Sequence, residues 1–524
     1  MLNGVLGMRR ELFQLLEKRN KISYQLIELF QIENSWLEVK KISSELDISN
    51  RSAQRYIHYL EELVNEYNEE KQKSLIMHYE KFKGIKFDFS DSSIEQFKLY
   101  IFCNDQNMRL LLDLCLLKTE PIKKYSQKHF ISIYAIKNAL IEIEPLLTSF
   151  DLKVDSKKLT LVGEEKTIRI FIYNILWSIY KNDCWPFHYI DEQRLYQSID
   201  TIEQELDLTF SNIQRKQISY FMAICLIRNR KKLYIDHYPE WEKYVNIKSL
   251  SSKEEILIKG MRHYQIFDSN EILFILMIME TKHRMYKSDK LKKRVLKYHK
   301  KNDTDIYRLT NQMIDKFEQE FFSIPPESLE LVYTYCFCTH LQSKIFPNVP
   351  LDADGYGTFE NTDALQHLNN KILKFIREMK HEENETILAQ EAFLVKKYLA
   401  LFSYFGRLTD YEPQIDVVID SDLPFLVQEN LKRRLRGQFD KYFNLQMSET
   451  IPKDRDNYLV ITTMPSLKNT VETICVVDPP LFYRDYQMIE EILTYKLQQL
   501  YQDTMNRTNH QSVKVNNNEV LAIS

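Results

Sequence analysis

Glycine, paired cysteines and long apolar runs are scarce in this sequence, and each scarcity excludes a class of protein. Only 9 of the 524 residues are glycine, far below the usual share of about 7%, so we expect helices to dominate. No apolar run reaches the roughly 18 residues of a membrane span, and the N-terminus lacks the order of charged, apolar and small residues that marks a signal peptide. We therefore predict a cytoplasmic protein without membrane contact.

Motifs for catalysis and metal binding are scarce as well. The seven cysteines are scattered, as expected of reduced and buried thiols. Cys336 and Cys338 are close in sequence, but no second Cys or His pair stands at zinc-ligand spacing, so we assign both to the core. No nucleotide-binding glycine motif, G-x-S-x-G or H-E-x-x-H occurs. We therefore expect no enzyme activity, no cofactor and no metal.

Length and charge predict several domains and a local binding surface. A chain of 524 residues is expected to hold roughly three to five domains of about 100–200 residues each. The formal net charge of −3 provides no overall attraction to nucleic acid. A surface for DNA or RNA must therefore belong to one module.

The stretch Pro121–Arg169 has the pattern of a winged helix-turn-helix, a DNA-binding module. A short basic helix over Ile122–Phe130 is followed by Ser132, whose hydroxyl suits the N-cap of a second helix. Helical spacing directs one set of residues inward and another outward. The inward set is Ile136, Leu140, Ile143 and Leu147, and the outward set is Tyr134, Lys137, Asn138 and Ile141. Because Pro145 removes a helical hydrogen bond, we expect the helix to stop near Ile143.

Two alternating runs after this helix predict a β-hairpin wing. Leu152–Asp155 and Leu159–Val162 are joined by a basic turn that contains Lys157 and Lys158. Lysines at the tip of a wing are placed to contact phosphates. The outward polar residues of the second helix would face the major groove, where asparagine can bind adenine.

A second unit of this kind precedes the first. Helices over Lys40–Leu46 and Asn50–Val64 flank a turn, and Ser74–Tyr79 with Ile85–Phe89 predict another hairpin wing. The outward residues at the start of the longer helix suit bases and phosphates; they are Ser49, Asn50, Arg51, Arg55 and His58. One helix-turn-helix can be a plain packing element, but two in succession, each with a wing and a polar outer face, favour DNA binding.

The remainder of the chain changes pattern once. From Asp191 to Leu408 it is helical, in two blocks whose similar order suggests a repeated all-α domain. Residues 287–301 hold eight Lys or Arg; we interpret them as a solvated linker or helix face, with nucleic-acid contact as the alternative. After Pro413 four strands and two helices predict a small α/β domain with a mostly parallel sheet. The polar tail from Asp503 is expected to be disordered.

The order of these modules resembles the Mga/AtxA family of transcriptional regulators. The resemblance lies in Ile131–Arg169, which includes Leu161-Val162-Gly163-Glu164-Glu165, in Trp185-Pro186-Phe187 and in the strand Ile415–Asp420. It implies a mainly α, multidomain fold that begins with two winged helix-turn-helix domains. Two all-α domains follow, similar to the regulation domains (PRDs) of the sugar phosphotransferase system (PTS). The last domain is a small α/β domain similar to an EIIB component of that system. The expected bounds are 1–92, 93–170, 171–290, 291–409 and 410–502, followed by the tail 503–524.

The resemblance also implies phosphorylation of PRD histidines by phosphocarrier proteins of the PTS. The usual acceptor positions in the first repeat are occupied here by Ser219-Tyr220 and Met277-Ile278. The less regular candidates are His188, His263 and His340, with His237 next. The alternative for each is an ordinary surface or core imidazole.

The EIIB-like domain lacks the cysteine nucleophile that such domains carry after their first strand. The corresponding loop is Asp420-Ser421-Asp422-Leu423-Pro424, whose two carboxylates would repel a phosphoryl group. Cys475 lies in a later strand and is expected in the core. We interpret the domain as a dimerisation or docking module.

The leading hypothesis is a transcription regulator that binds promoter double-stranded DNA as a homodimer. The resemblance implies that it is an activator. Its activity would be tuned by transient contact with phosphocarrier proteins of the PTS. An RNA-binding antiterminator or a phosphotransferase component would share the helical repeats. The former would carry a small RNA-binding β-domain at its N-terminus, and the latter would need a competent Cys or His. Neither fits the first 170 residues.

Overall fold

The computed structural model of this protein describes residues 8–180, 184–245, 264, 268–347, 349, 365–381, 384–450, 458–464 and 473–520. These residues fall into two compact units: an N-terminal unit within 1–357 and 381–393, and a C-terminal unit within 358–380 and 394–524. None of the helices formed by the described residues combines the length and apolarity that a membrane crossing requires.

The first winged module opens the N-terminal unit and has the predicted helices and wing. Its elements are α1 (Met8–Leu15), α2 (Lys18–Glu33), α3 (Val39–Glu45), α4 (Asn50–Lys71), β1 (Ile76–Glu80), β2 (Gly84–Asp88) and α5 (Asp91–Asn104). The two strands are antiparallel, and Leu37 adds a bridge to Ile85. Gly84, at φ 97°, is required there because a Cβ would lie 2.1 Å from the carbonyl oxygen of Leu37.

The second winged module follows directly. It consists of α6 (Gln106–Cys115), α7 (Ile122–His129), α8 (Ile133–Thr148), β3 (Lys153–Asp155), β4 (Thr160–Val162) and α9 (Glu165–Tyr180). The expected stop near Ile143 is wrong, since α8 continues to Thr148 with Pro145 inside it. Leu146 and Leu147 are buried in this last turn. Burying two leucines stabilises by about 1.5–3 kcal/mol each, which offsets the cost of a helical proline, about 3 kcal/mol.

A buried polar junction connects the two winged modules. The carboxylate of Asp105, which is 0% exposed, accepts hydrogen bonds from the backbone N–H of Glu17 at 2.8 Å and from the side chain of Asn20 at 2.8 Å. Its other oxygen accepts from the backbone N–H of Asn107 at 3.0 Å and caps α6. One aspartate therefore fixes the start of α6 against α2.

Helix α9 is the centre of the N-terminal unit. Its residues from Glu165 to Ser178 are buried, and it packs against α1, α5, α6 and α11 (Asn212–Arg230). A helix that is buried on every side needs partners for its charged residues. Arg169, at 0% exposure, finds them in Glu165 at 2.9 Å and in a bidentate pair with Glu271 at 2.6 and 2.7 Å.

The described residues in the rest of the N-terminal unit are mainly helical, as predicted. Between α9 and the C-terminal unit lie α10 (Glu192–Leu206), α11, α12 (Ser269–Glu280), α13 (Asp289–Lys301), α14 (Asp305–Glu320) and α15 (Pro326–Ile345). Cys336 and Cys338 are buried in α15, as expected. His263 lies outside the described residues.

The C-terminal unit contains the predicted parallel sheet. Its elements are α16 (Gln366–Glu378), α17 (Glu391–Phe405) from Leu394 onward, β5 (Gln414–Asp420), α18 (Phe425–Phe439), β6 (Asn444–Ser448), β7 (Tyr458–Thr462), β8 (Ile474–Val476) and α19 (Tyr483–Val520). The strand order is β6-β5-β7-β8, and every described pairing is parallel. A core of alternating strand residues and one face each of α18 and α19 holds it together.

Two features of this unit differ from expectation. The tail from Asp503 is not irregular, because α19 continues to Val520; no Gly or Pro interrupts residues 483–520, so the helix has no local reason to end. The expected boundary near residue 409 also differs from the observed division, which groups α16 with the sheet. Glu412 explains that grouping, since its carboxylate accepts hydrogen bonds from the backbone of His367 and Leu368 and from the hydroxyl of Tyr501.

Candidate DNA-binding interface

The turn between α7 and α8 sets the direction of the candidate recognition helix. Phe130 ends α7 in the left-handed region at φ 55°, and the backbone N–H of Ile131 donates to the carbonyl of Ser126 at 3.1 Å. The hydroxyl of Ser132 then accepts from the backbone N–H of Ala135 at 3.1 Å, the N-cap that the sequence predicted. The turn is therefore closed by hydrogen bonds on both sides.

The outward face of α8 is the face that helical spacing predicted. Ile136, Ile143 and Leu147 are buried, whereas Lys137 and Asn138 are exposed. Tyr134 is 75% exposed and lies at the N-terminal end of the helix, where a recognition helix enters the major groove. This face presents a phenol, an ammonium group and an amide, all of which can hydrogen-bond to bases or phosphates.

The second wing holds its lysines in a fixed turn. The carboxylate of Asp155 accepts from the backbone N–H groups of Lys158 at 3.0 Å and Lys157 at 2.9 Å, and these hydrogen bonds lower the pKa of Asp155. The carbonyl of Lys157 also accepts from the N–H of Ile122 at 3.0 Å. Both lysine side chains are exposed. The wing tip is thus tied to the start of α7 while its ammonium groups face solvent.

The second module carries excess positive charge that its own acids do not neutralise. Residues 118–162 contain eight lysines against five Asp or Glu. Lys128 pairs with Glu120 at 3.3 Å. The other seven form no ion pair with a described residue; they are Lys118, Lys123, Lys124, Lys137, Lys153, Lys157 and Lys158. An exposed set of unpaired lysines is suited to a polyanion.

The first module has the predicted basic residues, but acids accompany many of them. Ser49 caps α4 through the backbone N–H of Ser52 at 3.2 Å, and Asn50 and Arg51 are exposed at its first turn. The guanidinium of Arg55 lies 4.8 Å from the ring of its neighbour Tyr56. The imidazole of His58 lies 3.6 Å from Glu61 and 3.5 Å from Glu62. Those carboxylates oppose an approach of phosphate at His58.

The described candidate histidines have different environments. His188 is exposed in the segment that leads to α10. His340 is 0% exposed, its Nδ1 lies 2.9 Å from the hydroxyl of Thr310, and burial lowers its pKa to about 3. We therefore correct that candidate, because a phosphocarrier protein cannot reach a fully buried imidazole. His237 is exposed and lies 3.1 Å from Asn270.

The loop after β5 uses its polar groups internally. The hydroxyl of Ser421 donates to Gln428 at 2.7 Å, and Asp422 accepts from the hydroxyl of Thr463 at 2.7 Å. Cys475 is 1% exposed, as expected of a core residue. Among the residues that the structure describes, no group of three or more His, Cys, Asp or Glu is arranged to hold a metal ion.

Sequence reasoning missed two features of the N-terminal unit. The ion network of α9 was detectable, because Arg169 is a charged residue within an apolar helix and must be paired. Arg228 completes the network with a hydrogen bond from its Nε to Glu165 at 2.7 Å. Nothing in the sequence predicted that Phe130 is 97% exposed, because phenylalanine is normally expected in the core.

Fold and surface together define a mainly helical protein with a basic helix-turn-helix module and a small parallel sheet. In a comparison with known proteins, residues 90–176, which correspond to α5 through most of α9, match the family model of the Mga helix-turn-helix domain. The resemblance to the Mga/AtxA family that the order of modules indicated is therefore confirmed.

Three curated relatives from Bacillus anthracis are similar over a larger part of the chain. Capsule synthesis positive regulator AcpB is 25% identical over 317 residues, which cover 58% of this chain and 63% of that protein. Capsule synthesis positive regulator AcpA is 20% identical over 329 residues, 61% of this chain and 66% of that protein. The anthrax toxin expression trans-acting positive regulator is 23% identical over 214 residues, which cover 41% of this chain and 43% of that protein. The chain thus spans less than two thirds of each relative.

Proposed function

We propose that this protein is a promoter-binding transcription activator of the cytoplasm, without enzymatic activity, whose second winged module provides the main DNA contact. The observation that carries the proposal is the set of unpaired lysines around α8 and its wing, within the region that matches the Mga helix-turn-helix domain. Activation is supported by the names of the three relatives, each a positive regulator.

In this proposal α8 occupies the major groove. Asn138 would hydrogen-bond to an adenine edge and Lys137 to guanine or a nearby phosphate. Lys157 and Lys158 would contact backbone phosphates beside the groove and fix the register. In the first module, Ser49, Asn50, Arg51, Arg55 and His58 would make a weaker contact with an adjacent segment, because neighbouring acids reduce the local positive potential.

Binding to a selected duplex tests the DNA assignment. The full-length protein is used to enrich duplexes of about 30 base pairs from a random library, and affinity is then measured by fluorescence anisotropy. Lys137→Ala with Asn138→Ala should weaken binding to the selected duplex by at least roughly 30-fold, at about 1–3 kcal/mol for each of two specific contacts, and should leave weak non-specific binding in place.

A matched control uses an adjacent exposed pair on another helix. Asn370 and Lys371 are both exposed on α16, so Asn370→Ala with Lys371→Ala removes the same two side-chain types. That variant should bind as the parent does. Enrichment of no sequence, or an equal loss in both variants, would contradict the assignment of α8.

Self-association through the C-terminal unit is the second part of the proposal. Phe425 and Leu426, at the start of α18, are 69% and 78% exposed, and an exposed apolar pair is typical of an interaction site. Leu426→Glu should lower the mass measured by light scattering from dimer to monomer. Asn430→Glu, at an exposed position of the same helix, should leave the mass unchanged. If the unsubstituted protein is a monomer, self-association through the C-terminal unit is excluded.

Phosphorylation of a histidine is the third part. Of the three candidates, His263 lies outside the described residues, and of His188 and His340 only His188 is exposed. Incubation with phosphoenolpyruvate and the general phosphotransferase proteins should place an acid-labile label on the chain, and His188→Ala should remove it. His381→Ala is the matched control, since that imidazole is exposed as well and is not a candidate. An unlabelled parent would refute phosphorylation without affecting the DNA assignment.

A further inference from the structure

Helix α13 (Asp289–Lys301) carries five lysines on one exposed face, here named the lysine face. They are Lys290, Lys293, Lys297, Lys300 and Lys301, and all five are exposed. Spacings of three and four residues keep them within one side of a helix. At about 1.5 Å per residue the face is roughly 16 Å long.

The opposite side of α13 fixes the direction of this face. Leu291 and Val295 are buried, and His299 is 0% exposed with its Nδ1 2.8 Å from the hydroxyl of Thr304. The helix begins at a side-chain cap, since the hydroxyl of Ser288 accepts from the N–H of Leu291 at 3.3 Å. The apolar side is thus occupied by the core of the N-terminal unit, and the lysine face must point to solvent.

The one acidic residue of α13, Asp289, pairs with a lysine outside the lysine face and attracts Lys293 only without a salt bridge. Lys292, on another side of the helix, pairs with Asp289 at 2.8 Å and also with Glu330. Members of the lysine face form no ion pair with any residue for which the structure gives a position. Like charges three or four positions apart cost about 0.2–0.5 kcal/mol per pair. The helix dipole favours Lys300 and Lys301 in the last turn, but helix stability does not explain Lys290, Lys293 and Lys297 on the same face.

The chemistry of the face favours a phosphate backbone as its partner. None of the exposed large hydrophobic side chains belongs to α13. Protein interfaces are enriched in aromatic residues, Met and Arg and depleted in Lys, whereas phosphate contacts are made by Lys and Arg and need no apolar anchor. A helix that lies on a membrane must expose its apolar side, and the apolar side of α13 is buried.

We infer that the lysine face of α13 is a second, sequence-independent DNA contact, which binds the phosphates of duplex that extends beyond the segment held by the winged modules. The inference rests on the proposed function, because the same unit must hold DNA through those modules. The lysine face supplies affinity and salt dependence without selecting a sequence.

The test removes three charges from the full-length protein. Lys290→Gln, Lys293→Gln and Lys297→Gln keep the helix, since Gln and Lys have similar helix propensity. Affinity is measured for a duplex of about 60 base pairs with the selected site at its centre, from 50 to 300 mM salt. The slope of log affinity against log salt should fall by roughly 2–3, at about 0.9 for each phosphate that the protein no longer neutralises, and binding should weaken at least tenfold near 150 mM.

A variant with the same change in net charge controls for general electrostatics. Lys371, Lys374 and Lys441 are exposed in the C-terminal unit, and their replacement by Gln should leave the slope unchanged. A slope that falls equally in both variants would overturn the inference, because only net charge would then matter.

Three further outcomes separate this inference from the proposed function. If the α13 variant keeps its slope while Lys157→Gln with Lys158→Gln loses affinity, the lysine face is a solvated surface and the proposed function stands. If the α13 substitutions abolish binding to phosphatidylserine vesicles and leave DNA binding intact, the partner is a membrane and the inference is wrong. If the parent binds no duplex, both fail.

Discussion

The two winged modules have the same backbone design and different electrostatics. Each has a left-handed residue between its helices, Asp47 at φ 51° and Phe130 at φ 55°. Each caps its longer helix with a serine, Ser49 or Ser132, whose hydroxyl accepts the N–H three residues on. Residues 39–88, however, contain nine Lys or Arg and nine Asp or Glu, whereas residues 118–162 contain eight and five. The shared design therefore does not imply an equal affinity for DNA.

The pairing of charges widens this difference. In the first module Lys41 lies 2.8 Å from Glu33, Lys83 lies 2.9 Å from Glu80, and Lys86 lies 2.7 Å from Asp88. In the second, Lys157 and Lys158 have no such partner among the described residues. A phosphate must therefore displace a paired carboxylate in the first wing, whereas in the second wing no described carboxylate forms a salt bridge with Lys157 or Lys158. We therefore assign the larger share of DNA affinity to the second module.

The modules also differ in how they join the rest of the N-terminal unit. The second module ends in α9, whose Arg169 forms a bidentate, fully buried pair with Glu271 of α12. A change in the helical region can therefore act directly on α9. The first module is tied to the second through Asp105 and has its own apolar core.

The largest expected effect comes from Arg169→Met. The substitution leaves the carboxylate of Glu271 buried without its guanidinium partner, while Glu165 keeps Arg228, and the loss should cost about 3–5 kcal/mol. Urea unfolding followed by tryptophan fluorescence measures it, because Trp177 and Trp241 lie in this region. Hydrogen exchange should accelerate in β3 and β4 and remain slow in β1 and β2.

The control for Arg169→Met is the double variant Arg169→Met with Glu271→Leu. Replacing both buried charges by apolar side chains is often close to neutral, so most of the lost stability should return. An unchanged unfolding midpoint in the single variant would show that the ion network does not hold α9.

The second largest effect is expected for Gly84→Ala, which acts on the first module alone. A Cβ at Gly84 would meet the backbone oxygen of Leu37 at 2.1 Å, at φ 97°, and the strain should cost about 3 kcal/mol. Exchange of the β1 and β2 amides should accelerate, while DNA affinity changes less than threefold if the second module dominates.

Gly163→Ala is the corresponding change in the second module. Its Cβ would meet the flexible side chain of Leu152 at 2.5 Å, so we expect a smaller loss of stability than for Gly84→Ala. Gly437→Ala, with nothing within 4 Å, should be neutral or stabilising. A loss of DNA binding in Gly84→Ala larger than in Gly163→Ala would reverse the assignment of the dominant module.

Substitutions in the two wings compare the modules directly, and their expected effect on DNA affinity is of intermediate size. Lys157→Gln with Lys158→Gln should lower DNA affinity roughly tenfold and the salt slope by about 2. Lys81→Gln with Lys83→Gln should change affinity less than threefold, because Glu80 already pairs with Lys83. Anisotropy titrations at several salt concentrations measure both. Equal losses would show that the internal ion pair does not limit the first wing.

The smallest effect is expected at the two left-handed turn residues. Phe130→Gly removes a side chain that is 97% exposed and relieves a left-handed cost of about 1 kcal/mol, so the chain should become slightly more stable. Asp47→Gly should gain less, because aspartate tolerates this conformation. Urea midpoints of both variants measure the gain, and a loss at Phe130 would indicate that its ring makes a stabilising contact.

Local patterns predicted most elements of the site. Helical spacing placed Ile143 and Leu147 inward and Tyr134 outward, and turn chemistry predicted the cap at Ser132, because both depend on neighbours within a few residues. The continuation of α8 through Pro145 was not predictable, since it depends on what Leu147 packs against. The burial of His340 was not predictable either, because histidine gives no burial signal of its own.

By itself the sequence determined the two winged helix-turn-helix patterns, the parallel strands of the C-terminal unit and the family resemblance, because periodicity, caps and turn residues act over short distances. Only the tertiary structure decided which lysines of Pro121–Arg169 remain unpaired, that Arg169 meets Glu271 across 102 positions, and that the lysine face of α13 points to solvent. These outcomes depend on which distant residues meet after folding, and the electrostatic energy of a charge depends on those neighbours and on its burial.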